Sequence, residues 1–301
     1  MKVLVTGARG KVGRVLVRAL MRAGHDVRAT DLARPSFDRV EPGEPEDYVQ
    51  ADLTDAGACY ALVRGCDAVI HTAAIPQPTH NPPHVVFENN LTATFNVLEA
   101  AIAAEIPRFV NFSSETVPGF IFAYRGFEPE YLPLDEEHPI RPQDPYAQAK
   151  WFGELLMERA PERADIATIS IRPCWVQDVA SYEPNLGPIV RDPSVLIWNY
   201  CSYVDVYDLC EATVLAVESQ LPGHEVLYVA SPDTIGGHPL EETVRRYYGA
   251  KSIEFRPVSR PDASAIDSSK ARRLLGWEPK RSWRDYLDDE GHLREGVAAP
   301  W

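Results

Sequence analysis

Val3-Leu4-Val5-Thr6-Gly7-Ala8-Arg9-Gly10-Lys11-Val12-Gly13 stands near the start of the chain, and its reading decides the fold. Three apolar residues stopped by Thr6-Gly7 suit a short buried strand of a parallel sheet. From Val12 to Arg22 the residues Val12, Leu16, Ala19 and Leu20 recur on one helical face. Between strand and helix lies a GxxGxxG spacing. One glycine permits the tight turn, another lets backbone approach a pyrophosphate, and the third lets the helix pack close to the strand. Free N–H groups at the helix N-terminus suit the phosphates. Glycines at this spacing are common. Their place between a first strand and a first helix is what points to a dinucleotide.

The alternation continues outward. Val27–Thr30, Tyr48–Gln50, Ala68–His71, Phe109–Ser113 and Ile166–Arg172 read as further strands. Thr54 is the expected cap of a helix to Val63, Pro82-Pro83 starts a helix running to Ala104, and Tyr146–Glu158 is helical. Alternating strands and helices with right-handed crossovers give a Rossmann-type, doubly wound parallel sheet in the α/β class. The expected division is a dinucleotide-binding domain over residues 1–173, completed by about 203–230. Residues 174–202 and 231–301 then form a smaller, discontinuous substrate-binding region. Helices are expected at Val206–Val217, Pro239–Tyr248 and Ser269–Leu275, and a strand at Glu225–Ala230. Residues 118–145 make a long connection rich in Pro, Phe and Tyr, equally suited to packing onto the body and to covering a substrate.

Composition narrows the class. The chain has 301 residues and a formal net charge of −14, so nucleic-acid binding, which needs basic stripes, is not expected. Five cysteines without a CxxC pair argue against a disulfide framework and for a reducing cytoplasm. No stretch is apolar enough for a signal peptide or a spanning helix. His80 and His84 flank two prolines with no third partner in view, so no metal is expected.

Two further features carry chemistry. Asp31 ends the second strand, placed to accept hydrogen bonds from an adenosine ribose and to repel a 2′-phosphate. That favours NAD over NADP, although Arg28 and Arg34 lie nearby. Tyr146-Ala147-Gln148-Ala149-Lys150 is a YxxxK spacing, and residues four apart share a helix face. A phenol beside an ammonium is a candidate general base toward a substrate hydroxyl.

In this company the sequence resembles the extended short-chain dehydrogenase/reductase group, the NAD-dependent epimerase/dehydratase family. The resemblance rests on Thr6–Gly13, Asp52-Leu53, His71–Ala74, Asn90–Ala100, Phe112–Val117, Pro145–Lys150, Ile171–Pro173 and Lys270–Pro279. It implies that Ser114 hydrogen-bonds the reacting oxygen, Tyr146 is the base and Lys150 holds the nicotinamide ribose. It implies cofactor contacts at Gly7, Arg9, Gly10, Lys11, Val12, Gly13, Asp31, Asp52, Leu53, His71, Ala73, Ala74, Asn90 and Pro173. It also implies substrate contacts at Ser114, Glu115, Thr116, Trp175 and Arg172, and a homodimer through the helices that begin near Pro83 and Tyr146.

The chain departs from the sugar-nucleotide epimerases of that family. Trp175 stands near their diphosphate-contacting asparagine, and Cys201 stands where an arginine is expected. The first reading is therefore an NAD-dependent dehydrogenase of a sugar, sugar acid or similar polar substrate, similar to uronate dehydrogenases. A nucleotide-sugar epimerase is the alternative. A non-catalytic NAD(P)-binding regulator is a third reading, which the intact tyrosine and lysine disfavour.

Overall fold

A computed structural model describes residues 1–33, 45, 47–195, 197–250 and 252–301. Arg34 lies outside them. Seven parallel strands form the central sheet: β1 (Lys2–Thr6), β2 (Asp26–Asp31), β3 (Asp47–Gln50), β4 (Ala68–His71), β5 (Arg108–Phe112), β6 (Ala167–Pro173) and β7 (His224–Val229). Their spatial order is β7-β6-β5-β4-β1-β2-β3. The chain winds outward from β1 in one direction and then outward from β4 in the other. This reversal opens a crevice beyond the carboxyl ends of β1 and β4. The register aligns Thr6 with both Thr30 and His71, so those ends share one edge.

Five helices flank the sheet: α1 (Lys11–Arg22), α2 (Ala56–Leu62), α3 (Pro83–Ala103), α4 (Pro145–Arg159) and α5 (Val206–Glu218). Val15, Leu16 and Leu20 of α1 share one buried cluster with Leu209 and Ala216 of α5, against Val3, Val5 and Ile70 of the sheet. On the opposite face Val97 and Ala101 of α3 and Met157 of α4 bury Leu4, Val69 and Phe109. Strand residues of alternating direction thus feed two cores, as a sheet covered on both faces requires. The cap of α2 differs from expectation. Asp55 accepts from Gly57 and Ala58 N–H, while the Thr54 hydroxyl turns back onto Asp52 at 2.7 Å. The Asp55 carboxylate at the next position accepts from two of the helix's orphan donors instead.

A third apolar cluster joins Tyr182, Leu186 and Ile189 to Tyr203, Ile235, Trp283 and Tyr286. Helices α6 (Leu240–Tyr247) and α7 (Ser269–Leu275) follow β7. Within the long connection Phe120 and Tyr131 are buried, Phe122 faces the crevice, and Tyr124 is exposed. None of the helices in the described residues is long and apolar enough to cross a membrane.

Candidate active site

A cleft of about 1140 Å³ runs along the carboxyl edge of the sheet. Gly7, Arg9, Gly10, Lys11, Val12 and Gly13 line one wall, and Asp31, Asp52, Leu53, Ala73 and Ala74 line the next. The loop geometry explains the glycines. Gly7 has φ +65°, and a Cβ there would lie 2.8 Å from the Ala73 backbone. A Cβ on Gly13 would lie 2.1 Å from the Gly7 carbonyl oxygen, so only glycine lets α1 start this close to β1. The loop is tied to β2, because Asp31 Oδ2 accepts from the Arg9 N–H at 3.0 Å. Glycine loop, helix N-terminus and carboxylate at the end of β2 together fit the pyrophosphate and ribose of a dinucleotide. Arg28 points elsewhere. Its guanidinium bonds Asp47 and the carbonyls of Leu62 and Arg64.

The far end of the cleft holds Ser114, Glu115, Thr116, Tyr146, Lys150 and Trp175, with Pro173 between the two ends. Asp144 caps α4, and its Oδ1 accepts from Tyr146 N–H at 3.0 Å and Ala147 N–H at 2.9 Å. Pro145 occupies the first turn, where its missing donor costs nothing. These two residues fix where Tyr146 enters the cleft. One turn on, Lys150 Nζ donates to the Phe112 carbonyl at the end of β5, at 2.6 Å, and lies 5.8 Å from the centre of the Tyr146 ring.

Both groups are buried and perturbed. Desolvation pushes the Tyr146 phenol up to about 12, against the Ser114 hydroxyl that hydrogen-bonds it. Desolvation brings the Lys150 ammonium down to about 8, against the pull of Glu154. Tyr146 therefore carries its proton in the free protein. An added positive charge beside it favours the phenolate. The thiol of Cys174 is held well above its ordinary range by burial and by Glu115, so it is no nucleophile.

Three expected site residues fall elsewhere. His71 is fully buried behind the cleft wall, its two nitrogens bonded to Thr6 and Thr94 hydroxyls at 2.9 and 3.1 Å. Asn90 clamps the backbone of Ile75, accepting from its N–H and donating to its carbonyl. It shapes the segment after β4 without lining the cleft. Arg172 is no substrate contact, since it is buried beneath β6 and doubly bonded to Glu154. The family resemblance implies a substrate contact at Arg172. Alternation along a strand turns it to the interior instead.

Residues not singled out beforehand complete the site. Asp144 was legible as a capping residue ahead of proline. Asn96 Nδ2 holds the Leu53 and Thr54 carbonyls. Asn199 and Trp198 reach the cleft from a segment distant in sequence and without periodicity, so no local signal marks them.

A family model described as the NAD dependent epimerase/dehydratase family matches residues 3–177. A UDP-glucose 4-epimerase of Lactobacillus helveticus is 27% identical over 93% of this chain and 92% of its own. An L-arabinose 1-dehydrogenase (NAD(P)(+)) of Haloferax volcanii is 32% identical over 73% of this chain and 84% of its own. Among solved structures, a mutated uronate dehydrogenase superposes with a TM-score of 0.64 at 26% identity, covering 94% of this chain and 84% of that one.

Proposed function

The chain belongs to the NAD-dependent epimerase/dehydratase family, and from that premise we propose that it is an NAD-dependent dehydrogenase of a free sugar, sugar acid or similar polar alcohol. The observation that carries this reading is the make-up of the cleft's far end. The cations lining the cleft among the described residues are Arg9, Lys11 and Lys150. Two belong to the glycine loop and the third is spent on the Phe112 carbonyl. Lys11 Nζ does reach the Val176 carbonyl next to Trp175, at 3.3 Å, but it is engaged there with the Ser181 hydroxyl at 3.2 Å and the Asp178 carboxylate at 3.9 Å. Among the described residues, then, no cation lining the cleft beside Trp175 is without a protein partner to offer a substrate diphosphate. Cys201 is buried and faces the Tyr248 hydroxyl. Arg191 bonds the Glu290 carbonyl and does not line the cleft.

In this reading bound NAD supplies the hydride acceptor. Ser114 and Tyr146 receive the substrate hydroxyl between them, and Tyr146 takes its proton. Lys150 keeps positive charge against the phenol and stabilises its ionised form. Asp31 meets the adenosine ribose and disfavours a 2′-phosphate. Asp52 and Leu53 border the adenine end.

A panel of aldoses, uronic acids and nucleotide sugars tests this reading. Net NADH from a free sugar or sugar acid supports it. Inversion of a nucleotide sugar without NADH build-up rejects it for the epimerase, the second reading, which the near full-length likeness to UDP-glucose 4-epimerase favours. The proposal includes a homodimer. Leu91 and Phe95 of α3 and Phe152, Leu155 and Leu156 of α4 line an apolar hollow of about 470 Å³ on the outer surface.

A further inference from the structure

Glu115 follows Ser114 and lines the cleft, yet the hydride chemistry above gives it no task. It is 8% exposed. Its Oε2 accepts from the Cys174 thiol at 2.7 Å, and its two oxygens accept from Asn199 Nδ2 at 3.3 and 3.4 Å. The Trp175 backbone N–H also donates to it. Among the described residues no lysine or arginine is paired with it. The Asn199 amide is itself anchored, with Nδ2 donating to the Ser202 carbonyl at 2.9 Å. Its Oδ1 is buried without a partner.

The donors of Cys174, Asn199 and the Trp175 backbone are thus turned onto Glu115 and the Ser202 carbonyl, and what these groups have left for a ligand is acceptor capacity. Of the roughly four lone-pair sites of a carboxylate, Cys174, Asn199 and Trp175 take up about three on Glu115, which leaves one for a ligand. The buried Asn199 Oδ1 is destabilising until a donor reaches it. The complementary ligand brings O–H donors. A second negative charge brings only more acceptors, and at short range in a partly dry cleft like charges repel strongly. We propose that the Glu115–Cys174–Asn199 wall selects an uncharged polyhydroxylated ring, a free aldose, over the matching sugar acid. It does so by accepting hydrogen bonds from the ring's hydroxyls. The proposal deepens the dehydrogenase reading and rests on it for placing the reacting carbinol at Ser114 and Tyr146.

The selection carries a pH signature. Burial holds the Glu115 acid up to about 7. The titratable groups facing it are Cys174, at the end of β6, and Tyr146, on α4. Both are held above their ordinary range and stay neutral near pH 7, and the segment carrying Asn199 presents an amide. Rejection of an anion thus switches on as Glu115 ionises.

The test compares D-galactose with D-galacturonate, and D-glucose with D-glucuronate, on the NAD-loaded enzyme and on Glu115→Gln. In wild type, kcat/KM for the aldose should exceed that for the acid at least tenfold at pH 8, and the ratio should shrink at pH 6. Glu115→Gln, which keeps an acceptor for Cys174, should cut the pH 8 ratio about tenfold and remove its pH dependence. A preference for the acid at pH 8, or a ratio unmoved by both pH and the substitution, overturns the proposal. Calorimetric binding of the same sugars to NAD-loaded protein separates the two readings. Discrimination that Glu115→Gln abolishes, seen without NADH formation, upholds the selective wall while the dehydrogenase reading falls. Equal binding of aldose and acid overturns the wall.

Discussion

The guanidinium of Arg172 meets the carboxylate of Glu154 through two hydrogen bonds of 2.8 Å, Nε to Oε1 and Nη2 to Oε2, with both side chains almost wholly buried. Ser113 adds a bond to the same Oε1 at 2.5 Å. Glu154 lies one turn beyond Lys150, two beyond Tyr146, so the helix face that presents the reactive pair is locked onto β5 and β6 by its third member. Removing one partner of a buried pair strands the other charge. Glu154→Gln should cost about 3–5 kcal/mol, read by urea unfolding. The double variant Glu154→Met with Arg172→Met should cost less than Glu154→Gln alone. An unfolding midpoint unchanged in Glu154→Gln would remove the pair as the clamp of α4.

Tyr146→Phe keeps the ring and deletes the acid-base group. Proton transfer by a placed side chain is worth about 10²–10⁴ in rate, so kcat should fall by about that factor. NAD affinity, followed by calorimetry, should stay within about twofold, because the glycine loop and Asp31 lie at the other end of the cleft. A variant with wild-type kcat would take Tyr146 out of the mechanism.

Asp31→Ala removes the carboxylate expected to meet the ribose. The ratio of kcat/KM for NAD to that for NADP should drop about tenfold, equivalent to about 1.4 kcal/mol. Affinity for NAD should also weaken, because Asp31 Oδ2 holds the Arg9 N–H. A wild type that already favours NADP would contradict the assignment.

The fold was legible because its signals are local. Strand runs, the glycine turn and helical periodicity at Val12–Arg22 and Val206–Val217 each lie within a dozen or so residues, and the observed elements match them to within a residue or two. Asp144 carried a local signal as well. The site was legible where motifs gather at strand ends. What failed was side-chain direction: Arg172 and His71 sit beside cleft residues in sequence but turn inward, the first to Glu154 and the second to Thr6 and Thr94. Asn199 was out of reach for the opposite reason. Its partners Glu115 and Cys174 are 84 and 25 residues away, and nothing in an irregular segment announces such a meeting.

His71 makes an acid-stability prediction. Burial lowers its folded value to about 3, while the unfolded ring titrates near 6.5. Between these values the unfolded chain binds the extra proton, so stability rises with pH across the window and is lost on acidification below 6.5. The contribution should reach about 1.4 kcal/mol per pH unit inside the window. Glu115, raised to about 7, acts with the opposite sign between about 4.5 and 7. The informative quantity is thus the difference between wild type and His71→Gln. That difference in unfolding free energy should lose its slope above pH 6.5 and change steadily below it. Parallel curves from pH 4 to 8 would mean that the folded His71 titrates normally.

The outer faces of α3 and α4 offer the remaining test. Phe95 and Leu155 are 44% and 38% exposed, and with Leu91, Phe152 and Leu156 they line a continuous apolar hollow. Single exposed apolar residues are ordinary, but a contiguous patch on two adjacent helices is a place for a partner. A second copy presenting the same face would be self-complementary about a twofold axis. It would bury the back of the helix whose front carries Tyr146 and Lys150. Phe95→Asp combined with Leu155→Asp should therefore convert a dimer to a monomer in sedimentation equilibrium at micromolar concentration. Thermal stability of that monomer should no longer depend on protein concentration, as mass action requires once association is gone. A wild type that sediments as a monomer, or a variant that still dimerises, would place any subunit contact away from this face.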